Sequence, residues 1–126
     1  MELKDQCVSL ELAKKLKELG FKQESLFYWV LFHGGVGKGH SDYERSAIWE
    51  LRTKEGSLNF QESRCPAYTV AELGEMLPQK VCWRGLSNNG SKWGLEFGDF
   101  RAEAETEADA RAKMLIHLSE QGLITL

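Results

Sequence analysis

Proline and cysteine are scarce in this chain of 126 residues, with Pro66 and Pro78 the two prolines and Cys7, Cys65 and Cys82 the three cysteines. An odd number of widely spaced cysteines is neither a disulfide framework nor a Cys-x-x-Cys redox or zinc site, so reduced, half-buried thiols are expected. No apolar run reaches the ~20 residues that a membrane-spanning helix needs. Basic charge is not in excess either. Sixteen Lys and Arg stand against nineteen Asp and Glu, a formal net charge of −3, which disfavours nucleic-acid binding driven by phosphate neutralisation. The opening Met1-Glu2-Leu3-Lys4-Asp5-Gln6-Cys7 has acidic residues where a secretory signal would have a basic start and an apolar stretch. A cytoplasmic setting is expected.

What is present is ordinary in bulk: 42% hydrophobic and 28% charged residues, the balance of a soluble domain rather than of a disordered or fibrous chain. The length suits one domain with one core, residues 1–126. Three helices can be read from their ends. The first runs over residues 9–19, with Ser9 as N-cap, Gly20 as stop, and Leu12, Ala13, Leu16 and Leu19 on one face. The second, residues 69–77, opens on the capping box Thr69-Val-Ala-Glu72 and ends at Pro78. The third, residues 106–121, has Glu105, Glu107 and Asp109 around its positive end and closes at Gly122. Its apolar set is Ala108, Ala112, Leu115 and Ile116, widened by Met114 and Leu118.

Between the helices lie apolar runs with tryptophans. Residues 24–33 predict a strand apolar on both sides, with Phe27, Trp29 and Leu31 on one face and Leu26, Tyr28, Val30 and Phe32 on the other. Residues 34–43 read as a glycine-rich connection. Residues 45–53 are favoured as a strand with Ala47, Trp49 and Leu51 inward, although Ser41-Asp42-Tyr43-Glu44 also has the form of a capping box that would start a helix. Residues 57–68 read as a loop, and residues 81–86 and 93–102 as a hairpin turning at Asn88-Asn89-Gly90. The order α-β-β-α-β-β-α predicts an α+β fold: an antiparallel sheet of about four strands, with three helices mainly on one side.

Candidate sites are few. His33-Gly34-Gly35-Val36-Gly37-Lys38-Gly39-His40-Ser41 looks like the phosphate-binding loop of partitioning-type ATPases, with Gly35, Gly37 and Lys38 as the phosphate-contacting positions. It departs from that pattern at His33 and Gly39, where the family has a lysine and a metal-binding hydroxyl. The alternative is a plain glycine hairpin loop. His33, His40 and His117 have no paired-ligand spacing with the cysteines, so no metal, cofactor or catalytic set is expected. The acidic run Glu103, Glu105, Glu107 and Asp109 reads as a solvated helix start. The lysine cluster Lys14, Lys15 and Lys17, with Lys22, reads as a solvated face, or else as a weak nucleic-acid contact. Aromatic content exceeds what one sheet face requires. Tyr28, Phe32 and Ile48 are therefore candidates for an uncovered apolar patch that contacts a protein partner or a second copy.

Four segments also carry a resemblance: Cys7-Val-Ser-Leu-Glu-Leu-Ala-Lys-Lys-Leu-Lys-Glu-Leu-Gly20, Gln23-Glu-Ser-Leu-Phe-Tyr-Trp29, Ala71-Glu-Leu-Gly-Glu-Met-Leu-Pro78 and Ala108-Asp-Ala-Arg-Ala-Lys-Met-Leu-Ile116. Through them the chain resembles small uncharacterised proteins carried by bacteriophages and integrated mobile elements. The resemblance implies a bacterial or phage intracellular setting and an accessory role there, and it assigns no catalytic residue. The leading expectation is a non-enzymatic protein-interaction module. A nucleotide-binding protein or enzyme using residues 34–39 is the alternative, and a weak nucleic-acid binder the third.

Overall fold

A computed structural model of the chain describes residues 2–32, 39, 41, 48–58, 64–79, 81–86 and 93–124, and of residues 82–86 the backbone alone. In chain order the elements are α1 (Leu3–Gln6), α2 (Leu10–Glu18), β1 (Phe27–Phe32), β2 (Ile48–Thr53), β3 (Arg64–Pro66), α3 (Val70–Met76), β4 (Cys82–Leu86), β5 (Trp93–Phe97), β6 (Phe100–Ala104) and α4 (Glu107–Glu120). The fold is α+β and every strand pairing is antiparallel. One sheet of about four strands is corrected to two sheets of three, ordered β2-β1-β3 and β4-β5-β6.

Two local features account for the two added strands. Gly98 adopts φ +58° and, with Asp99, turns the chain so that Phe97 pairs with Phe100. A two-residue hairpin with glycine first is a type II′ arrangement, and it splits the expected strand over residues 93–102 into β5 and β6. Within the expected loop, Arg64–Pro66 pairs with the far side of β1; Pro66 sits there as the last residue of an edge strand, a position that needs no ladder donor. The strand reading of residues 48–53 holds, while the capping-box residues Asp42, Tyr43 and Glu44 and the Asn88-Asn89-Gly90 turn lie outside the described residues.

The helices form where their end signals stand. Gly20 and Gly122 take positive φ just past α2 and α4. The Thr69–Glu72 capping box closes in both directions, Glu72 N–H to Thr69 Oγ1 and Thr69 N–H to Glu72 Oε1. Ser9 is the N-cap residue of α2, but its side chain makes no capping bond. Its N–H instead donates to Asp109 Oδ1 at 2.7 Å, tying the start of α2 to the first turn of α4.

α4 serves two cores at once. Ala108, Ala112, Leu115 and Ile116 join Val8, Leu16, Phe21, Tyr68 and Leu73, whereas Ala110, Met114 and Leu118 join Leu95, Ala102 and Ala104 of the second sheet. Its three alanines are fully buried. Adding volume there forces strain rather than filling space: Ala112→Leu should lower the unfolding free energy by about 1–3 kcal/mol, measured by urea denaturation, while Glu120→Gln on the exposed end should stay within about 0.5 kcal/mol.

Candidate functional site

Register fixes which side chains share a face of the first sheet. Directly paired residues of an antiparallel ladder project to the same side, and Phe32 pairs with Ile48, Val30 with Glu50 and Arg64, and Tyr28 with Arg52 and Pro66. The opposite face carries Trp29, Leu51, Trp49 and Cys65 and looks toward α2. Trp29 Nε1 donates to the Val8 carbonyl at 2.9 Å, and Lys14 Nζ lies 4.7 Å from the Trp49 ring centre. Tyr28, Phe32 and Ile48 are thus brought to one face, as expected.

They are not equally available. Tyr28 is 1% exposed, which corrects its place in an uncovered patch. Its hydroxyl donates to the Gln23 carbonyl and accepts from Ser25 N–H, both at 3.1 Å, and the Arg64 guanidinium covers its ring at 4.1 Å. Arg64 is itself held by Ser57 Oγ at 2.9 Å, and Ser57 is buried. At the other end of the strand pair, Phe32 is half-buried, with Arg52 5.1 Å from its ring centre, and Ile48 is 49% exposed. The candidate surface therefore narrows to Phe32 and Ile48, beside the Glu50–Arg52 pair, whose two contacts measure 2.7 and 3.1 Å.

Gly35, Gly37 and Lys38 lie outside the described residues. Their frame can still be judged, because the strand before them, β1, is antiparallel to both neighbours, whereas a loop of that type works between a strand and a helix in a parallel sheet. The lysine cluster is a solvated face, with Lys14, Lys17 and Lys22 exposed, and three of its members also make contacts within the chain. Lys14 covers Trp49, Lys17 Nζ donates to the Arg64 carbonyl at 2.8 Å, and Lys15 stands 3.8 Å from Glu120. The acidic run is likewise engaged: Glu103 with Arg101, Glu107 with Arg111, and Asp109 with Ser9. Among the described residues no group of three His, Cys, Asp or Glu converges as a metal site.

Two concavities had no signal in the sequence beyond the helical spacing of Glu107 and Arg111. One, of about 480 Å³, lies between α3, α4 and β5 against Leu77, Val81 and Leu95, with Glu107 and Arg111 on its wall. Arg111 donates to the Val70 carbonyl and to Glu107, each at 2.9 Å, and its guanidinium lies over Gly74, where a Cβ would collide with it. Its buried Nε has no hydrogen-bond partner among the described residues. Because the guanidinium is neutralised by Glu107, this pocket offers apolar contact without net charge to select an ion. The other, about 440 Å³, lies against Phe97, Phe100, His117 and Leu123, with His117 stacked on Phe100 at 3.6 Å between ring centres.

Two of the three thiols are placed. Cys7 and Cys65 are buried and free, deeper than the half-burial expected. Burial, then the Glu72 charge, pushes the Cys7 thiol up to about 11. For Cys65, burial outweighs the lowering influence of Lys17 and Lys14, so it too is raised. Neither environment favours the thiolate that nucleophilic chemistry needs. No helix among the described residues is long and apolar enough to cross a membrane. Comparisons with protein-family models, with curated proteins and with solved structures find no match to this chain.

At pH 8, an alkylating reagent followed by peptide mapping should leave Cys7 and Cys65 unlabelled in the folded protein and label both after denaturation. A folded thiol pKa above the unfolded one means that the unfolded state ionises first. Cys7 should therefore cost stability as pH climbs from 9 toward about 11 and contribute no pH dependence below that window.

Proposed function

We propose that this protein acts by binding rather than by catalysis, as an interaction module whose contact surface is the Phe32–Ile48 end of the first sheet. The observation that carries the reading is the 49% exposure of Ile48 directly opposite half-buried Phe32, on the face turned away from α2. Apolar area placed in this way gains free energy only when something covers it.

The chemistry of the surroundings supports the same reading. Cys7 and Cys65 are held toward the neutral thiol. Arg111 is committed to Glu107 and Val70. Lys14, Lys15 and Lys17 each have an intramolecular contact, which with the net charge of −3 weighs against a phosphate-driven partner. The likeness of four segments to proteins of phages and mobile elements supports a partner from the phage or its bacterial host.

The two ends of the face separate a binding defect from a folding defect. Ile48→Asp should keep the native circular dichroism spectrum and melting temperature while weakening partner association at least tenfold, read by size-exclusion chromatography with light scattering and by affinity capture. Tyr28→Asp, which removes a fully buried ring and its hydrogen bonds to Gln23 and Ser25, should lose the fold itself. Unchanged association in a folded Ile48→Asp protein would remove this surface from consideration. Nucleotide binding that is lost in Lys38→Ala would replace the reading altogether.

A further inference from the structure

The four edges of the two sheets are not alike. In an antiparallel ladder, alternate residues turn their N–H and C=O groups toward the neighbouring strand and away from it. Ala67 N–H donates to the Phe27 carbonyl at 2.9 Å, and this phase leaves residues 64 and 66 of β3 facing outward. Pro66 has no N–H to present there, and the Arg64 carbonyl is taken by Lys17 Nζ. On β6 the Glu103 carbonyl accepts from Lys113 Nζ at 2.9 Å. β4 breaks register between Trp83 and Gly85. Proline, lysine and register irregularity are the devices by which sheet edges resist further pairing. β2 has none of them: its six residues pair with β1 in unbroken register, contain neither Gly nor Pro, and have no other strand alongside among the described residues.

The phase of β2 is fixed by Lys54 N–H, which donates to the Leu26 carbonyl at 3.1 Å. Residues 48, 50 and 52 therefore bond to β1, and Trp49, Leu51 and Thr53 turn their backbone groups outward. We propose that this edge pairs antiparallel with β2 of a second copy, about a twofold axis at Leu51, joining the two three-stranded sheets into one of six. The inference rests on the binding-module reading and names its partner.

Charge selects the register. Only arrangements that place odd-numbered residues opposite odd-numbered ones satisfy the outward groups of both strands. Centred on Glu50, such a pairing sets the two Glu50 carboxylates against each other; centred on Arg52, it opposes the two guanidiniums. Centred on Leu51, it puts Glu50 of each copy opposite Arg52 of the other, in the non-hydrogen-bonded pairs where side chains approach most closely. Within one chain Arg52 already bonds Glu50. Pairing exchanges that contact for two across the axis, and it sets Ile48 beneath the aliphatic stem of Lys54 from the other copy.

Charge reversal in one copy at a time tests this by sedimentation velocity on the full chain. The unaltered protein should show a concentration-dependent dimer. Glu50→Arg gives a strand positive at both positions and Arg52→Glu one negative at both, so each variant alone should dimerise roughly tenfold or more weakly. An equimolar mixture should recover association as a 1:1 heterodimer. Mixing cannot cure a folding fault, so recovery identifies strand-to-strand contact. An unaltered protein that remains monomeric to about millimolar concentration overturns the inference, as does a mixture no more associated than its components. A monomeric unaltered protein whose binding to a different protein is still abolished by Ile48→Asp overturns β2 pairing alone, so the two readings fail separately.

Discussion

The fold depends on α4 being narrow. A helix that forms a wall of two cores must let elements approach from two sides, and the fully buried Ala108, Ala110 and Ala112 provide that clearance, while Leu115, Met114 and Leu118 fill the space around them. α2 and α3 pack on one side, β5 and β6 on the other. The two sheets are thus held in one body through a shared helix rather than through pairing with each other. Larger side chains at the alanine positions would push one layer away, and dense packing leaves little room for such adjustment.

Carboxylates act as joints around that helix. Asp109 holds the N–H of Ser9, the N-cap of α2. Glu72 accepts from Thr69 N–H at its own cap and from Ser25 Oγ ahead of β1, while the buried Tyr68 hydroxyl donates to the Lys22 carbonyl in the same connection. Glu107 orients Arg111, which reaches the Val70 carbonyl at the start of α3. Each of these groups joins elements that apolar contact alone would leave free to slide. A polar side chain occupied in this way has little capacity left for a substrate, and so the charges of Asp109, Glu72, Glu107 and Arg111 are architectural.

Much of this was legible in the sequence. Helix ends were readable because their signals are local: Gly20, Gly122 and the Thr69–Glu72 box act within a turn of themselves. The alternation in residues 27–32 separated the two faces of β1, and with residues 48–53 it set Phe32 and Ile48 on the same side. What could not be read depended on contacts distant along the chain. β3 is three residues long and exists through its register with β1. Tyr28 misled for the same reason. Its parity placed it on the outer face, but Arg64, 36 positions later, covers its ring, and no periodicity announces that.

Lys17 and Pro66 have a consequence for the size of any assembly built on the first sheet. A sheet open along both margins can accept a neighbour on each, and such units grow without limit into fibres. On the β3 margin the proline withholds a donor and the lysine occupies an acceptor. This gives the first sheet a valence of one: whatever joins it along β2 finds no second margin beyond, and growth ends with a closed pair.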